Sequence, residues 1–182
     1  MKYLKYLIQS IFVIIFFIIF KIIGLKKGSD LGEYIGKKIG PKLRSKTVIK
    51  KNLNFCFKKI DGNKIDYISS KMWSNLGRTF AEYVFLEKFK KDKYNNLIKI
   101  TGVEILNKIK TEDTPVIFIS GHFANFELMA MKINDSGVKL ATIYRPLNNI
   151  FLNPLMEYLR KKYICPNQIK KGRSGLRELI YK

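Results

Sequence analysis

The feature that most constrains this chain is the apolar run near its start. Residues 6–25 read YLIQSIFVIIFFIIFKIIGL, and residues 11–20 are apolar without a break. A helix of about 20 predominantly apolar residues is long enough to cross the hydrocarbon core of a bilayer. The interruptions, Gln9, Ser10 and Lys21, lie near its ends, where a lysine stem can carry its charge out to the headgroups. A signal peptide is the competing reading, with Lys2 and Lys5 as its basic start. The residues that follow, Lys26, Lys27, Gly28 and Ser29, offer no small-x-small cleavage site. Residues 1–27 are therefore expected to form an uncleaved, single-pass membrane anchor.

Two lysines precede the run, and a basic stretch from Lys26 to Lys51 follows it. By the positive-inside rule the body of the protein is expected on the cytoplasmic side. Residues 31–43, LGEYIGKKIGPKL, keep Leu31, Tyr34, Ile35 and Ile39 at helical spacing, which predicts a short amphipathic helix against an anionic leaflet. The whole chain carries 35 Lys and Arg against 14 Asp and Glu, a net charge of +21. That excess favours polyanionic partners: acidic proteins, phosphorylated lipids or nucleic acid. With 47% hydrophobic residues the chain is too apolar for a disordered basic tail. Cys56 and Cys165 stand far apart without histidine companions. A structural zinc site is not expected on that ligand count, and both thiols are expected to be buried or half-buried.

Residues 28–95 read as a helical, membrane-proximal segment, with a helix expected over 70–89 from the spacing of Met72, Trp73, Leu76, Phe80, Tyr83 and Val84. Residues 96–182 read as α/β. LIKITG (97–102), TPVIFIS (114–120) and VKLATIYRP (138–146) are expected strands, the second buried on both faces as in a parallel sheet. Helices are expected between and after them, over GVEILNKIK, NFELMAMKI, NPLMEYLRKKY and GRSGLRELIYK. The predicted fold class is α/β: an N-terminal transmembrane helix, a helical segment, then a mixed or parallel sheet flanked by helices. With three expected strands and a last helix at the chain end, the sheet is expected to be incomplete at the C-terminus.

The stretch VIFISGHFANFELMA (116–130) holds the only histidine, His122, with Glu127 five positions on. If both were on one helix they would stand about 140° apart, so they are not a zinc-binding pair. The expected placement puts His122 in the turn after a strand and Glu127 in the first turn of a helix starting near Ala124 or Asn125. From there Glu127 can accept a hydrogen bond from one ring nitrogen. That fixes the tautomer, leaves the other nitrogen as a base, and stabilises the imidazolium. Such an imidazole can deprotonate a hydroxyl attacking an acyl ester, the logic of a catalytic triad with the substrate alcohol in place of serine. The alternative is structural: a histidine that caps the helix and a first-turn carboxylate favoured by the helix dipole.

The block GHFANFELMA resembles the H-x-x-x-x-[DE] motif of the lysophospholipid acyltransferase superfamily. More narrowly it is similar to the GHxGNWE form of the bacterial lipid A biosynthesis acyltransferases, the lauroyl/myristoyl transferase family. KKNLNFCF (50–57), MWSNLGRTFAEY (72–83), IYRPLNN (143–149) and GRSGLRELI (172–180) are similar to further blocks of that family, in the same order. Ala124 stands where the family has glycine, Phe126 where it has tryptophan, and Lys58 where it commonly has proline. Family members continue into further strands, so the resemblance also implies a chain truncated at its C-terminus.

The resemblance implies an acyltransferase of lipopolysaccharide lipid A biosynthesis at the bacterial inner (plasma) membrane. It would move a fatty acyl chain from acyl-acyl carrier protein to a hydroxyl of a phosphorylated glycolipid, the lipid A precursor. His122 and Glu127 would be catalytic, and no metal or bound cofactor is implied. Phe123, Asn125, Arg145, Arg173 and Ser174 would bind substrate. Arg145 suits a phosphate because its planar fork makes two hydrogen bonds, and KKGRSG (170–175) sets Arg173 and Ser174 before a helix start that can hold an anion. Asn125 could hydrogen-bond the acyl carbonyl or cap the helix. Another glycolipid or a lysophospholipid is the alternative acceptor. A non-enzymatic basic membrane protein that binds anionic lipid or nucleic acid is the alternative of another class, though no nucleic-acid-reading motif supports it.

Overall fold

The computed structural model describes residues 1–57 and 60–180. Lys58, Tyr181 and Lys182, which figure in the resemblance and in the last expected helix, lie outside the described residues. The chain divides into two compact units, one of residues 1–15, 85–122 and 126–182, the other of residues 16–84 and 123–125.

Helix α1 (Lys2–Ile23) is 22 residues long, and it is long and apolar enough to cross a membrane. Leu7, Ile8, Ile11, Phe12, Ile14, Ile15, Ile18 and Ile22 are exposed along it. Its first half, up to Ile15, counts with the first unit. There Ser10 is buried, and its hydroxyl shares its proton between the Tyr6 carbonyl at 2.7 Å and Asn149 Oδ1 at 3.1 Å. Asn149 Nδ2 donates in turn to the Tyr6 carbonyl at 2.9 Å. The polar interruption in the apolar run thus has local and long-range partners, as a buried hydroxyl requires. Helix α1 ends at Gly24, whose φ of 85° is open to glycine at little cost.

The second unit is helical. It holds the rest of α1, then α2 (Leu25–Leu43), α3 (Lys46–Cys56) and α4 (Gly62–Glu82). Asp61 caps α4 by accepting from the Asn63 amide at 3.0 Å. The expected short amphipathic helix is in fact the 19-residue α2, with Pro41 in its last turn. Its organising feature is Gly28, Gly32, Gly36 and Gly40, one glycine every fourth residue and so on one face. Helix α4 meets Gly32, Gly36 and Gly40 of this face with Trp73, Gly77 and Ala81, while Gly28 faces Phe20 of α1. A Cβ on Gly36 would lie 2.3 Å from the Trp73 carbonyl oxygen, and one on Gly32 would lie 2.4 Å from that of Gly77. The two backbones are therefore in contact along the seam, the geometry that small-xxx-small spacing permits. Beside the seam Arg78 pairs with Asp30 (3.0 Å) and with Glu33, which also pairs with Lys37. The Lys37 bond, then Ser74 and Arg78, hold the Glu33 carboxyl down at about 2. Its folded value is depressed, so its stabilising contribution is present above the ordinary 4.5 and is lost as pH falls toward about 2.

The first unit carries α5 (Leu86–Lys90), α6 (Val103–Glu112), α7 (Glu127–Asp135), β1 (Ala141–Tyr144), α8 (Asn153–Tyr163), β2 (Asn167–Lys170) and α9 (Arg173–Ile180). Strands β1 and β2 pair in parallel, Ala141 opposite Asn167 and Tyr144 opposite Lys170, with α8 as the crossover. Pro154 sits in the first turn of α8, where its missing N–H leaves no helix bond unmade. Phe85, Leu86, Met131, Ile164 and Ile169 are fully buried and form the core of this unit. The fold class is α/β with an N-terminal apolar helix and a small parallel sheet, as the sequence led us to expect.

Several local expectations need correction. The helix expected over 70–89 starts earlier, at Gly62, and is interrupted by a 3-10 turn over Tyr83–Phe85. Residues 98–102 are irregular after a 3-10 turn at Asn95–Leu97, and residues 114–120 are irregular too. The apolar run of the latter is not buried on both faces: Ile117 is 87% exposed and Ile119 91%. Strand β2, too short and polar to be read from NQIK, was not expected. Cys165 is buried, its thiol donating to the Leu140 carbonyl at 2.9 Å, and burial raises its pKa. Cys56 is exposed, against the expectation of partial burial.

Candidate active site

Within the first unit, the chain leaves residues 114–120 and reaches His122, which is exposed, with its ring centroid 4.3 Å from that of Phe126. Glu127 is the first residue of α7 and is only 6% exposed. Two of its hydrogen bonds come from Arg160 of α8, whose Nε (2.9 Å) and Nη2 (2.5 Å) both donate to Oε1. The Arg160 guanidinium also lies over the Tyr144 ring of β1, 5.8 Å from its centroid. A carboxylate this buried is costly unless it is paired and hydrogen-bonded, and the arginine fork and the helix start provide that environment. Burial, with the Glu157 carboxylate as the next cause, pushes the Tyr144 hydroxyl up to about 12. Among the described residues no hydrogen bond joins His122 to Glu127. The sequence alone does not single out Arg160, since a basic residue near a helix C-terminus has an ordinary explanation in the helix dipole.

Arg145 follows β1, and Lys171 and Gly172 follow β2 and lead into α9, whose first residues are Arg173 and Ser174. Because the strands are parallel and Tyr144 stands opposite Lys170, both segments leave the same edge of the sheet. The Lys171 amide donates to the Tyr144 carbonyl at 2.8 Å and extends the ladder there. Gly172 has φ 133°, and a Cβ on Gly175 would lie 1.8 Å from the Lys170 carbonyl oxygen, so α9 starts hard against β2. Arg145, Arg173 and Ser174 are exposed at this edge. A 180 Å³ pocket between the strands and α9 is lined by Ile143, Ile169, Leu176 and Leu179, with Lys170 and Lys171 beside them. The structure thus brings Arg145 to the same sheet edge as the start of α9 and Glu127 to Arg160. No described contact joins His122 to Arg145, Arg173 or Ser174.

In the second unit, Phe123 is 83% exposed. Ala124 has φ 46°, a left-handed conformation that costs a residue with a Cβ about 1–2 kcal/mol. Its carbonyl accepts from Thr79 Oγ1 at 3.0 Å and Asn75 Nδ2 at 3.3 Å of α4. The positive φ explains why glycine suits this position. Ala124→Gly is expected to raise stability by about 1 kcal/mol, read as a higher midpoint in thermal or denaturant unfolding. Asn125 does not cap α7. The N-cap residue is Phe126, without a side-chain bond. Asn125 Nδ2 instead donates to Glu82 Oε2 at 2.9 Å. Asn75, Thr79 and Glu82 are spaced at i, i+4 and i+7, so a polar face at helical spacing was the available signal for these α4 residues.

A family model described as bacterial lipid A biosynthesis acyltransferase matches residues 1–180. The chain belongs to that family. The segment from His122 to Glu127 just described, with Glu127 buried at a helix start, lies within the matched residues. No curated protein and no solved structure matches the chain.

Proposed function

We propose that the protein transfers a fatty acyl chain from acyl-acyl carrier protein to a hydroxyl of a phosphorylated lipid A precursor. Family membership over residues 1–180 carries this reading. His122 is the general base. It takes the proton from the acceptor hydroxyl as that oxygen attacks the thioester carbonyl, and the thiol of the carrier's arm departs. Glu127 orients His122 and stabilises the imidazolium. Hydrogen bonds of this kind often close only in the substrate complex, and Arg160 keeps the carboxylate in place beforehand. Arg145, Arg173 and Ser174 at one sheet edge bind the acceptor phosphate, and Phe123 and Asn125 contact substrate. The excess of basic residues suits an acidic carrier protein and a phosphorylated lipid.

Residues 1–27 anchor the protein in the inner membrane, with residues 28–95 as the membrane-proximal segment and the remainder as the cytoplasmic acyltransferase core. The exposed apolar side chains of α1 and the lysines that follow it support this arrangement.

The experiment is acyl transfer by membranes containing the full chain, from labelled lauroyl-acyl carrier protein or the matching coenzyme A thioester, to a phosphorylated lipid A precursor. Transfer from the carrier protein is the expected result. Transfer only to a lysophospholipid would contradict the proposed acceptor, and none from any thioester would contradict the activity. In the same assay Arg145→Lys is expected to raise the acceptor KM about tenfold, because a point charge replaces a bidentate fork. An unchanged acceptor KM would place Arg145 outside the site.

A further inference from the structure

We propose that Glu82 is a positioning residue: it fixes the Asn125 side-chain amide so that its carbonyl oxygen stands ready to accept a hydrogen bond from substrate. This inference rests on the acyltransferase reading. The Glu82 carboxylate is shared between two donors. Oε1 accepts from the Ser29 hydroxyl at 2.9 Å, and Oε2 accepts from Asn125 Nδ2 at 2.9 Å. The Ser29 oxygen accepts in turn from Arg78 Nη1 at 3.1 Å. Arg78 is itself held by Asp30 and Glu33, so the chain of bonds that fixes Glu82 begins in the seam between α2 and α4.

A carboxylate accepts and does not donate, so it faces the NH2 end of an amide. That leaves Asn125 Oδ1 on the other side. This oxygen is buried and has no hydrogen-bond partner among the described residues. A buried acceptor left open carries a desolvation cost and recovers it when a donor arrives. The preceding residue is held as firmly, because Thr79 and Asn75 grip the Ala124 carbonyl. The open oxygen stands three positions after His122 and two before Glu127 in the chain. It therefore reads a donor, an O–H or N–H of substrate, and not the acyl carbonyl that was one of the two roles open to Asn125 in the sequence.

The test is Glu82→Gln in the full chain, assayed with lauroyl-acyl carrier protein and a phosphorylated lipid A precursor. The substituted amide can still accept from Ser29, but its own NH2 can donate to Asn125 once that side chain turns over. Oδ1 is then occupied. The expected result is a fall in kcat/KM of about tenfold or more with the thermal midpoint nearly unchanged. In Glu82→Gln/Asn125→Asp the amide introduced at position 82 is the donor, and the second oxygen of the carboxylate introduced at position 125 is open again. Most of the loss should then be recovered. A change confined to the acceptor KM marks the donor as the acceptor's hydroxyl; one confined to the thioester KM marks it as an amide of the carrier's arm. Wild-type kcat/KM in Glu82→Gln, or no recovery in the double variant, overturns the proposal. If Glu82→Gln does not fold, Asn125→Ala removes the same oxygen, and wild-type kcat/KM there overturns it equally. Selective labelling of asparagine side-chain amides gives a readout independent of turnover: the Asn125 amide signal is expected to shift in Glu82→Gln, and an unmoved signal contradicts the proposal. His122→Ala in the same assay separates the two readings. Full activity there ends the histidine mechanism, whereas loss there with an unaffected Glu82→Gln ends only this inference.

Discussion

Gly77→Leu is expected to part α2 from α4 and cost more than the roughly 1–3 kcal/mol typical of overpacking. A Cβ at this position would lie 2.0 Å from the Gly32 carbonyl oxygen and 3.1 Å from the Gly36 Cα. Those are backbone atoms of the facing helix, so no side chain can rotate away to make room. A whole protein is stable by only about 5–15 kcal/mol, so the variant should accumulate poorly or be rapidly cut by trypsin within its lysine-rich helices. The ion pairs of Arg78 with Asp30 and Glu33 would be lost with the seam. Gly62→Ala is the control. A Cβ there meets nothing within 4 Å, and its effect should be within about 0.5 kcal/mol, as at ordinary surface positions. A normally folded Gly77→Leu, with wild-type protease resistance, would contradict the close approach of the two helices.

What could be read from the sequence follows from how local each signal is. The apolar run became α1 because length and composition alone decide it. The helices from Val103 onward were legible because each carries its apolar residues at helical spacing or, for α8, a proline at its start. Strand β1 was legible from ATIY, but residues 114–120 were not correctly placed. A β-branched run records a preference, whereas a strand exists only where another strand hydrogen-bonds it. Strand β2 shows the converse: NQIK has little β-propensity of its own and is a strand because β1 lies beside it. The glycines at 32, 36 and 40 were visible yet unread, because their meaning depends on Gly77 and Trp73 more than 30 positions away. At the site, His122 and Glu127 stood out by type and spacing. Arg160 did not, since an ion pair between distant elements leaves no periodic trace in the sequence, and Glu82 left only the polar spacing it shares with Asn75 and Thr79 on α4.

The other large effect is at the histidine. General-base catalysis contributes about 10²–10⁴-fold, so His122→Ala is expected to lower acyl transfer by at least that order while folding and membrane binding persist. His122 is exposed, so its removal leaves no cavity. Glu127→Gln should also lose activity, because an amide can hydrogen-bond the imidazole but cannot balance its positive charge. It will cost stability as well, since Arg160 then loses its charged partner, so turnover has to be expressed per folded molecule. Combining the two changes should add little to either, because members of one catalytic unit are not additive. The most direct measurement is single-turnover transfer of labelled lauroyl from acyl carrier protein to a phosphorylated lipid A precursor, by folded wild-type protein and folded His122→Ala side by side. A loss of at least about a hundredfold in the variant is predicted; transfer at the wild-type rate by folded His122→Ala would contradict the mechanism.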